Sequence, residues 1–486
     1  MGIFENAGDV GNVLHPGSTR FDPAAKTYTL TGSGENMWFG KDEFQFVWKR
    51  TSGDLRLSAD IHFLGNAGNK HRKAVLIVRQ SLDTGSPTVD IAFHGDGLTS
   101  LQFRDAINGD THEIETAATA PQRVCLEKRG DRLYAFVSGA DGKLHPAGAA
   151  IRVPFAGPFY VGLGVSAHDK DASETAVFSN VDLKPIAPSA ATPTLLSVLE
   201  TVNVASTDRR VAYLAPTHFE APNWARDGSF LLVNQSENNT GHMLRLTWHQ
   251  PTLSATDPTP LNSGPQTHLN NDHGLSPDGT ELAISDNSNP DRTSRVYLLP
   301  VTGGTPREIT PTGPSYWHGW SPDGKILAFT GQRSSEFDIY TVPVAGGPQT
   351  RLTTATGLDD GPEYAPDGHT IFFCSVRSGH MQLWHMRPDG SEQKQLLTSE
   401  TDDWFPHVSP DGKLIAFVSF PKNTDGHPPN KDVEVQVLDL ATGKIRALAK
   451  LFGGQGTLNV PSWSPDSSRL AFVSYELLPP EEINGR

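Results

Sequence analysis

Histidine, tryptophan and paired acidic residues recur in six short segments between residues 217 and 463. Tight turns need only Gly, Asn, Asp, Ser or Pro, so folding does not account for these imidazoles, indoles and carboxylates. Imidazole is the commonest metal ligand, and carboxylates act as metal ligands or as general acids and bases. The segments are THFEAPNW (217–224), HLNNDHGL (268–275), PSYWHGW (314–320), GLDDGPEY (357–364), TDDWFPHV (401–408) and GGQGTLNVPSW (453–463).

Three histidines occupy almost the same position within their segments, which predicts that their rings converge. His273 and His318 stand where other segments have a proline, and His407 lies one position further along. With Asp272 they form the expected ligand set of a divalent metal ion, for which Mn, Ca, Zn and Mg all stay open. The alternative is that each histidine is an ordinary surface or hydrogen-bonding residue.

Proton transfer is the second chemistry that these segments and the neighbouring loops favour. A general acid and a general base need ionisable groups within reach of the substrate, and a developing negative charge needs a cation. The expected catalytic residues are His218, Asp360, Glu363 and Asp403 for proton transfer, and Arg333 and Arg377 for charge stabilisation. The two Asp-Asp pairs, 359–360 and 402–403, could instead form Asx turns.

Sugar binding is the third kind of chemistry that these segments favour. An indole offers an apolar face for a sugar ring and an N–H for a hydrogen bond, so Trp317 and Trp404 are expected to bind substrate. The amides of Asn271, Gln455 and Asn459 are expected to hydrogen-bond the hydroxyl groups. The alternative for both tryptophans is structural packing.

The elements that position these residues repeat at intervals of about 44 to 55 residues. Each repeat has an anchor, and an apolar run follows it, which is typical of a four-stranded propeller blade. The anchors are WARDG (224–228), LSPDG (275–279), WSPDG (320–324), YAPDG (364–368), VSPDG (408–412) and WSPDS (463–467). Six anchors predict six blades, and residues 198–214 are expected to supply the outer strands that the last repeat lacks.

Strand direction alternates within a blade, so the Pro-Asp-Gly turns emerge on one face and the six polar segments on the other. The turn face is expected to be inert, because turn geometry alone explains its repeated residues. The functional site is therefore expected on the face that carries the polar segments.

The first part of the chain contains short alternating apolar runs that turn clusters separate, which indicates an antiparallel β-sandwich. Their order resembles that of concanavalin-like jelly rolls. A segment rich in proline and small residues then marks a linker. The sequence thus predicts an all-β protein with a jelly-roll β-sandwich at 1–184, a linker at 185–195 and a six-bladed β-propeller at 196–486.

The repeated SPDG, VPVAGG and RLT motifs resemble those of TolB-type propellers, over roughly 280 residues. The polar face resembles the metal-containing cup of oligogalacturonate lyases. These resemblances imply a carbohydrate-active enzyme that acts on oligosaccharides or glycosides, with β-elimination favoured slightly over hydrolysis. A TolB-like scaffold that binds glycan or protein without catalysis is the alternative.

Charge and hydropathy limit the partners. The formal net charge is −15, so no basic field is available for nucleic acid. No run reaches the 18 to 20 apolar residues of a membrane span. The expected location is the periplasm or the outside of the cell, with the cytoplasm as the alternative. The oligomeric state stays open.

Overall fold

The computed structural model describes residues 1–187, 189–250 and 252–485, and most of them lie in β-strands joined by turns. The chain divides into two compact units, and each is described by itself. Unit 1 comprises Met1–Leu196, Asp208–Val211 and Glu476–Arg486, and unit 2 comprises Ser197–Thr207 and Ala212–Tyr475. The predicted linker 185–195 includes position 188, which lies outside the described residues. The described residues include no helix with the length and hydropathy needed to span a bilayer.

Unit 1 is built from antiparallel strands. They are β1 (Asn6–Val10), β2 (Ser18–Asp22), β3 (Thr27–Gly34), β4 (Met37–Trp38), β5 (Lys41–Asp42), β6 (Phe44–Thr51), β7 (Leu55–Phe63), β8 (Lys73–Arg79), β9 (Thr88–His94), β10 (Leu98–Arg104), β11 (His112–Thr119), β12 (Arg123–Arg129), β13 (Arg132–Ser138), β14 (Leu144–Arg152), β15 (Phe159–Ser166) and β16 (Asp169–Pro185), with the short helix α1 (Pro480–Ile483).

These strands form two sheets that contact each other. Seven strands follow the order β1-β6-β15-β8-β9-β10-β11, and the second sheet has the order β14-β13-β12-β7-β16-β3-β2. Strand β3 contacts β6 and β15, and β12 contacts β8 and β9. Phe46, Val75 and Ile77 are fully buried in an apolar cluster of unit 1. Unit 1 is therefore a two-layer all-β structure, as its alternating apolar runs predict.

Unit 2 contains the repeats. Its strands are β17 (Thr194–Asn203), β18 (Arg209–Ala215), β19 (His218–Trp224), β20 (Phe230–Glu237), β21 (Thr240–His249), β22 (Ser254–Pro260), β23 (Leu269–Leu275), β24 (Glu281–Asp286), β25 (Arg295–Pro300), β26 (Arg307–Glu308), β27 (Ser315–Trp320), β28 (Ile326–Arg333), β29 (Glu336–Pro343), β30 (Thr350–Arg351), β31 (Asp359–Tyr364), β32 (Ile371–Ser375), β33 (Gln382–Met386), β34 (Lys394–Gln395), β35 (Asp402–Val408), β36 (Leu414–Phe420), β37 (Lys431–Asp439), β38 (Ile445–Gly453) and β39 (Arg469–Leu478), with a 3-10 helix at Gln455–Thr457.

Strands β19 to β38 form four-stranded antiparallel blades in chain order, and the described residues contain five of them. Apolar side chains of adjacent blades pack together: Val296 and Leu298 share a buried cluster with Leu327 and Phe329 of the next blade. The architecture is a β-propeller, as the repeats predict.

The prediction of six four-stranded blades is wrong in its count, because the sixth repeat does not form one and the described residues contain five. The anchor of the sixth repeat makes only a single bridge, between Trp463 and Leu470, where the other repeats have a regular inner strand. Strand β39 follows this anchor and lies in the order β18-β17-β39. The segment 198–214 therefore does lie beside the last repeat. What is missing is the innermost strand.

The Pro-Asp-Gly turns have the geometry that their residues predict. In the second blade the hydroxyl of Ser276 donates to Asp278 Oδ1 at 2.6 Å, and the N–H of Gly279 donates to the Ser276 carbonyl at 2.9 Å. Gly279 has a φ of +71°, in the left-handed region that glycine adopts without strain. The serines at 321, 409 and 464 make the same side-chain bond to the aspartates two residues later.

A β-bulge interrupts the innermost strand of every four-stranded blade. The pairing shifts between Glu220 and Asn223, Leu269 and His273, Trp317 and Gly319, Asp360 and Glu363, and Trp404 and His407. In three blades the bulge contains a residue with positive φ directly before a proline: Ala221 (56°), Gly361 (62°) and Phe405 (56°). A bulge inserts one unpaired residue and re-aims the side chains that follow it. The two ends of each inner strand therefore face different surroundings.

Candidate active site

The bulges separate two cavities in unit 2. The larger one, about 410 Å³, is called the cup, and residues at or before the bulges contribute most of its wall. Its lining consists of Asn270, Asn271, Asp272, Tyr316, His318, Thr330, Phe337, Leu358, Asp360, Phe405, His427, Gln455 and Asn459. Six of the residues that the sequence singles out thus come together here, namely Asn271, Asp272, His318, Asp360, Gln455 and Asn459.

His318 and Asp360 form an ion pair in the cup wall, with His318 Nε2 at 3.2 Å from Asp360 Oδ1. Asp360 Oδ1 also accepts hydrogen bonds from the Thr330 hydroxyl at 2.7 Å and from the Gly361 N–H at 2.8 Å. Burial opposes the charged carboxylate, but the hydrogen bond and the charge of His318, with His427, lower the pKa of Asp360 to about 2. Asp360 is therefore ionised throughout the physiological range.

The imidazole of His318 is correspondingly held in its charged form. Burial disfavours the imidazolium, but the hydrogen bond to Asp360 and the charges of Asp272, Asp360 and Glu363 raise the pKa of His318 above 6.5. His427 lies beside the same carboxylate, with Nε2 at 3.9 Å from Asp360 Oδ2. Burial lowers the pKa of His427, so its imidazole is mainly neutral at pH 7.

Asp272 carries the second carboxyl group of the cup, and its environment raises its pKa, whereas that of Asp360 is lowered. Oδ1 accepts a hydrogen bond from Asn459 Nδ2 at 2.7 Å, and Oδ2 accepts one from Asn270 Nδ2 at 2.9 Å. Burial raises the pKa of Asp272 to about 6, with the charge of His318 opposing and that of Asp360 reinforcing this shift. Two carboxyl groups of one cavity thus have pKa values about four units apart, which is the pattern of an acid–base pair.

A further acidic group lies near the cup. Burial raises the pKa of Glu220 to about 7, with a bond from Asn271 opposing and the charge of Asp272 adding to the shift. Glu220 Oε2 lies 3.8 Å from Nε2 of His218, which also contacts the Tyr475 hydroxyl at 3.3 Å. His218 is not among the described residues that line the cup. Glu220 belongs to one of the six polar segments, but nothing in the sequence marks it as a catalytic residue. Its raised pKa arises from burial, which the sequence does not reveal.

The predicted metal ligands are held by different partners. The rings of His318 and His407 each contact a carboxylate, with His407 Nδ1 at 2.7 Å from Glu363 Oε2. His273 Nδ1 lies 3.1 Å from the Asn271 carbonyl, while its Nε2 is buried and has no partner among the described residues. Within residues 1–187, 189–250 and 252–485, no three His, Cys, Asp or Glu side chains are grouped to hold a metal ion. The four predicted ligands therefore do not form such a group.

Four other predicted catalytic residues have partners outside the cup. Arg333 donates to the carbonyls of residues 312, 314 and 332, and Arg377 pairs with Asp359 at 2.6 Å. Asp403 accepts three hydroxyl hydrogen bonds, from residues 399, 401 and 419. Glu363 accepts from the Val408 N–H at 2.9 Å as well as contacting His407. None of the four belongs to the described lining of the cup.

The two tryptophans expected to stack on sugar are core residues. Trp317 is 1% exposed and Trp404 is 2% exposed. The accessible rings of the cup are instead Tyr316 and Phe337, which are half-buried and contact each other with centroids 6.5 Å apart. Successive strand residues face opposite sides of a sheet. Tyr316 is two residues before the polar His318 and faces the same side, whereas Trp317 faces the other. That alternation was the available signal for Tyr316.

Comparisons with known proteins agree with this fold. Residues 274–426 match the family model described as the TolB β-propeller domain, PD40. A solved structure of an oligogalacturonate lyase in complex with manganese is 15% identical, covers 60% of this chain and 99% of its own, and superposes with a TM-score of 0.38. A likeness of that size carries no argument about activity.

Two comparisons with Agrobacterium proteins are much closer. A structure from Agrobacterium tumefaciens, described provisionally as TolB, is 44% identical, with a TM-score of 0.55 over 58% of this chain and 99% of that one. An uncharacterized protein of Agrobacterium fabrum is 46% identical over 281 residues, which are 57% of this chain and 92% of the relative. On this identity and coverage, the chain belongs to the TolB-type β-propeller family.

Proposed function

We propose that the cup is the active site of a carbohydrate-active hydrolase that cleaves oligosaccharides or glycosides. One observation carries the proposal: Asp272 and Asp360 line the same cavity, with pKa values of about 6 and about 2. Glycoside hydrolysis commonly needs one carboxylic acid that can donate a proton and one carboxylate that stays ionised. The environments of these two residues supply that difference.

In this mechanism Asp272 is the general acid. In its protonated form it donates a proton to the glycosidic oxygen as the bond to the leaving group breaks. Asp360, kept ionised by His318, accepts a proton from the water that attacks the anomeric carbon. The proton that leaves the water balances the one that Asp272 gives up, so each turnover consumes one water molecule.

The rest of the cup suits a neutral, polyhydroxylated substrate. The amides of Asn270, Asn271 and Gln455 line it, and Asn459 Oδ1 is buried with no hydrogen-bond partner in the described chain. An unpaired buried acceptor gains from a ligand hydroxyl. Tyr316 and Phe337 offer ring faces to the apolar side of a sugar.

The positions of the arginines favour hydrolysis over the β-elimination that the sequence favours slightly. Elimination from a uronide needs a cation to neutralise the substrate carboxylate and the enolate that forms from it. No arginine or lysine belongs to the described cup lining, and the charge of His318 is already paired with Asp360. A uronate would also meet the carboxylates of Asp272 and Asp360.

The test is the pH dependence of kcat/KM on neutral glycosides and oligosaccharides, with uronides alongside. The wild-type protein should release reducing ends, with kcat/KM falling tenfold per pH unit above about 6 as Asp272 loses its proton. Asp272→Asn should lower kcat by at least a hundredfold and remove that limb. Asp323→Asn, an exposed turn carboxylate, is the matched control and should leave both unchanged. An unsaturated product from uronides alone, or an unchanged pH profile in Asp272→Asn, would refute the assignment.

A divalent metal stays a prediction, and no step above uses one. Elemental analysis of the purified protein tests it: retained metal that is lost in the double variant His273→Ala, His318→Ala would support the sequence-based ligand set. A metal content that stays the same in this variant would contradict that set.

The alternative function is a binding scaffold without catalysis, which the provisional TolB description of the similar Agrobacterium tumefaciens structure favours. Glycan binding in the cup without turnover on any substrate would support it. We further propose that unit 1 is a concanavalin-like jelly roll and that the protein is periplasmic or secreted. Fractionation of the source cells tests the location, and an experimental structure tests the jelly roll.

A further inference from the structure

A second cavity lies at the turn end of the inner strands, on the face that the sequence predicts to be inert. It measures about 220 Å³, and residues that follow the bulges line most of it. Its lining includes Trp224, Arg226, Trp320, Glu363, Tyr364 and Trp463. We call it the turn-side cavity. The expectation of an inert face does not account for it.

All five blades and the last repeat contribute the residue at one repeat position to its wall. The residue just before the Ser-Pro-Asp or Ala-Pro-Asp sequence is aromatic in Trp320, Tyr364 and Trp463, and Trp224 holds that place in the first anchor. The indole N–H groups of Trp320 and Trp463 donate hydrogen bonds to the carbonyls of Gly274 and His407, respectively. The indole N–H of Trp224 is buried and has no acceptor among the described residues.

Arg226 is a departure from the repeat in this wall. Two residues after the aromatic position, the next four anchors and the last have proline, whereas the first anchor reads WARDG and has Arg226 there. The side chain of Arg226 is exposed, and the described chain provides it with no hydrogen bond or ion pair. Partial desolvation of the guanidinium by the cavity wall lowers the pKa of Arg226, and the charge of Glu363 opposes this, but a guanidinium stays protonated at neutral pH.

The acidic residue of this cavity does not satisfy the arginine. Both oxygens of Glu363 already accept or share hydrogen bonds, one with His407 Nδ1 at 2.7 Å and one with the Val408 N–H at 2.9 Å. Arg226 therefore presents its donors to whatever enters. A planar guanidinium pairs with a carboxylate through two parallel hydrogen bonds.

We propose that the turn-side cavity binds a small organic carboxylate that carries a flat ring. Arg226 pairs with the carboxylate, and the ring packs against the cavity wall that Trp224, Trp320 and Trp463 line. The volume lies below the roughly 300–1,000 Å³ of pockets for drug-sized ligands, so the occupant is a compact acid rather than a long chain. This site is independent of the proposed hydrolase activity, because the two cavities have no lining residue in common.

Titration of the intact protein with benzoate, followed by calorimetry and by tryptophan fluorescence, tests the proposal. Benzamide has the same shape without the charge and should bind at least tenfold more weakly. Arg226→Gln should weaken benzoate binding at least tenfold and leave benzamide binding unchanged. Arg226→Pro restores the residue of the other repeats, preserves the turn, and should have the same effect.

Two control variants locate the site. Lys325→Ala removes an exposed positive charge beside a neighbouring turn and should not change benzoate binding. Asp272→Asn alters the cup and should leave benzoate binding intact, so failure of the hydrolase proposal would not affect this one. No benzoate binding to the wild-type protein, or benzoate binding by both Arg226 variants as tight as that of the wild type, would overturn the proposal.

Discussion

Replacing Asp360 by asparagine should destabilise the protein most strongly in a defined pH window. The pKa of Asp360 falls from 3.8 to about 2 in the folded state, a difference of nearly two units. At 1.36 kcal/mol per unit, the ionised carboxylate contributes about 2–3 kcal/mol to the free energy of unfolding. Its partner His318 is 6% exposed, so solvent screens the pair only weakly.

The sign of each titration sets the limits of the window. Asp360 has a lowered pKa, so its contribution is present above pH 4 and is lost as the pH falls towards 2. His318 has a raised pKa, so its contribution is complete below pH 6.5 and is lost as the pH rises through the folded-state value. Both shifts describe the same contact, so their energies are not added. The contact should contribute most between about pH 4 and pH 6.5.

A double-mutant cycle measures this contact directly. Urea unfolding of the wild type, Asp360→Asn, His318→Gln and the double variant, at pH values from 3 to 9, gives the coupling free energy at each pH. We expect about 2–3 kcal/mol near pH 5.5 and a decline on both sides. A coupling below about 0.5 kcal/mol at pH 5.5, or one that does not change with pH, would refute the charged-pair assignment.

Three further predictions concern packing and binding. Gly274→Ala would place a Cβ at 2.1 Å from Trp317 and should lower the free energy of unfolding by about 1–3 kcal/mol in thermal unfolding, whereas Gly8→Ala, with its nearest atom at 3.6 Å, should cost less than half as much. Tyr316→Ala should weaken sugar binding about tenfold in calorimetry, and Trp404→Phe should not; the reverse order would restore the stacking role of the tryptophan. Arg377→Gln should destabilise the protein by about 3 kcal/mol because it leaves Asp359 buried and unpaired, while kcat stays the same; a selective loss of kcat would return Arg377 to catalysis.

The repeat anchors were sufficient to predict the propeller, because each anchor encodes a turn whose geometry depends only on neighbouring residues. Ser276, Asp278 and Gly279 satisfy one another within four positions, so the sequence contains all that the turn needs. The blade count depended on more than the turn. The last anchor has the turn residues, but its inner strand pairs at Trp463 alone, and strand pairing is not visible in the anchor.

The cup was predicted at the level of segments and less well at the level of side chains. Asp272, His318 and Asp360 meet as expected, because neighbouring inner strands run side by side. Arg333 does not join them, because its guanidinium donates hydrogen bonds to carbonyl groups of its own blade. The separation of the Asp272 and Asp360 pKa values was also out of reach, since it arises from burial and from charges on other blades.

The bulge in each inner strand has a consequence for how this protein can change over time. Because the bulge shifts the phase of side-chain alternation between residues such as Asp360 and Glu363, a substitution on one side of it leaves the neighbours of the other side in place. The inner strands of the second to fifth blades therefore line two cavities, whose side chains can diverge separately while the hydrogen-bonded framework stays the same. Descendants of one propeller could exchange the chemistry of the cup without losing that of the turn-side cavity, and relatives with the same fold need not share a substrate.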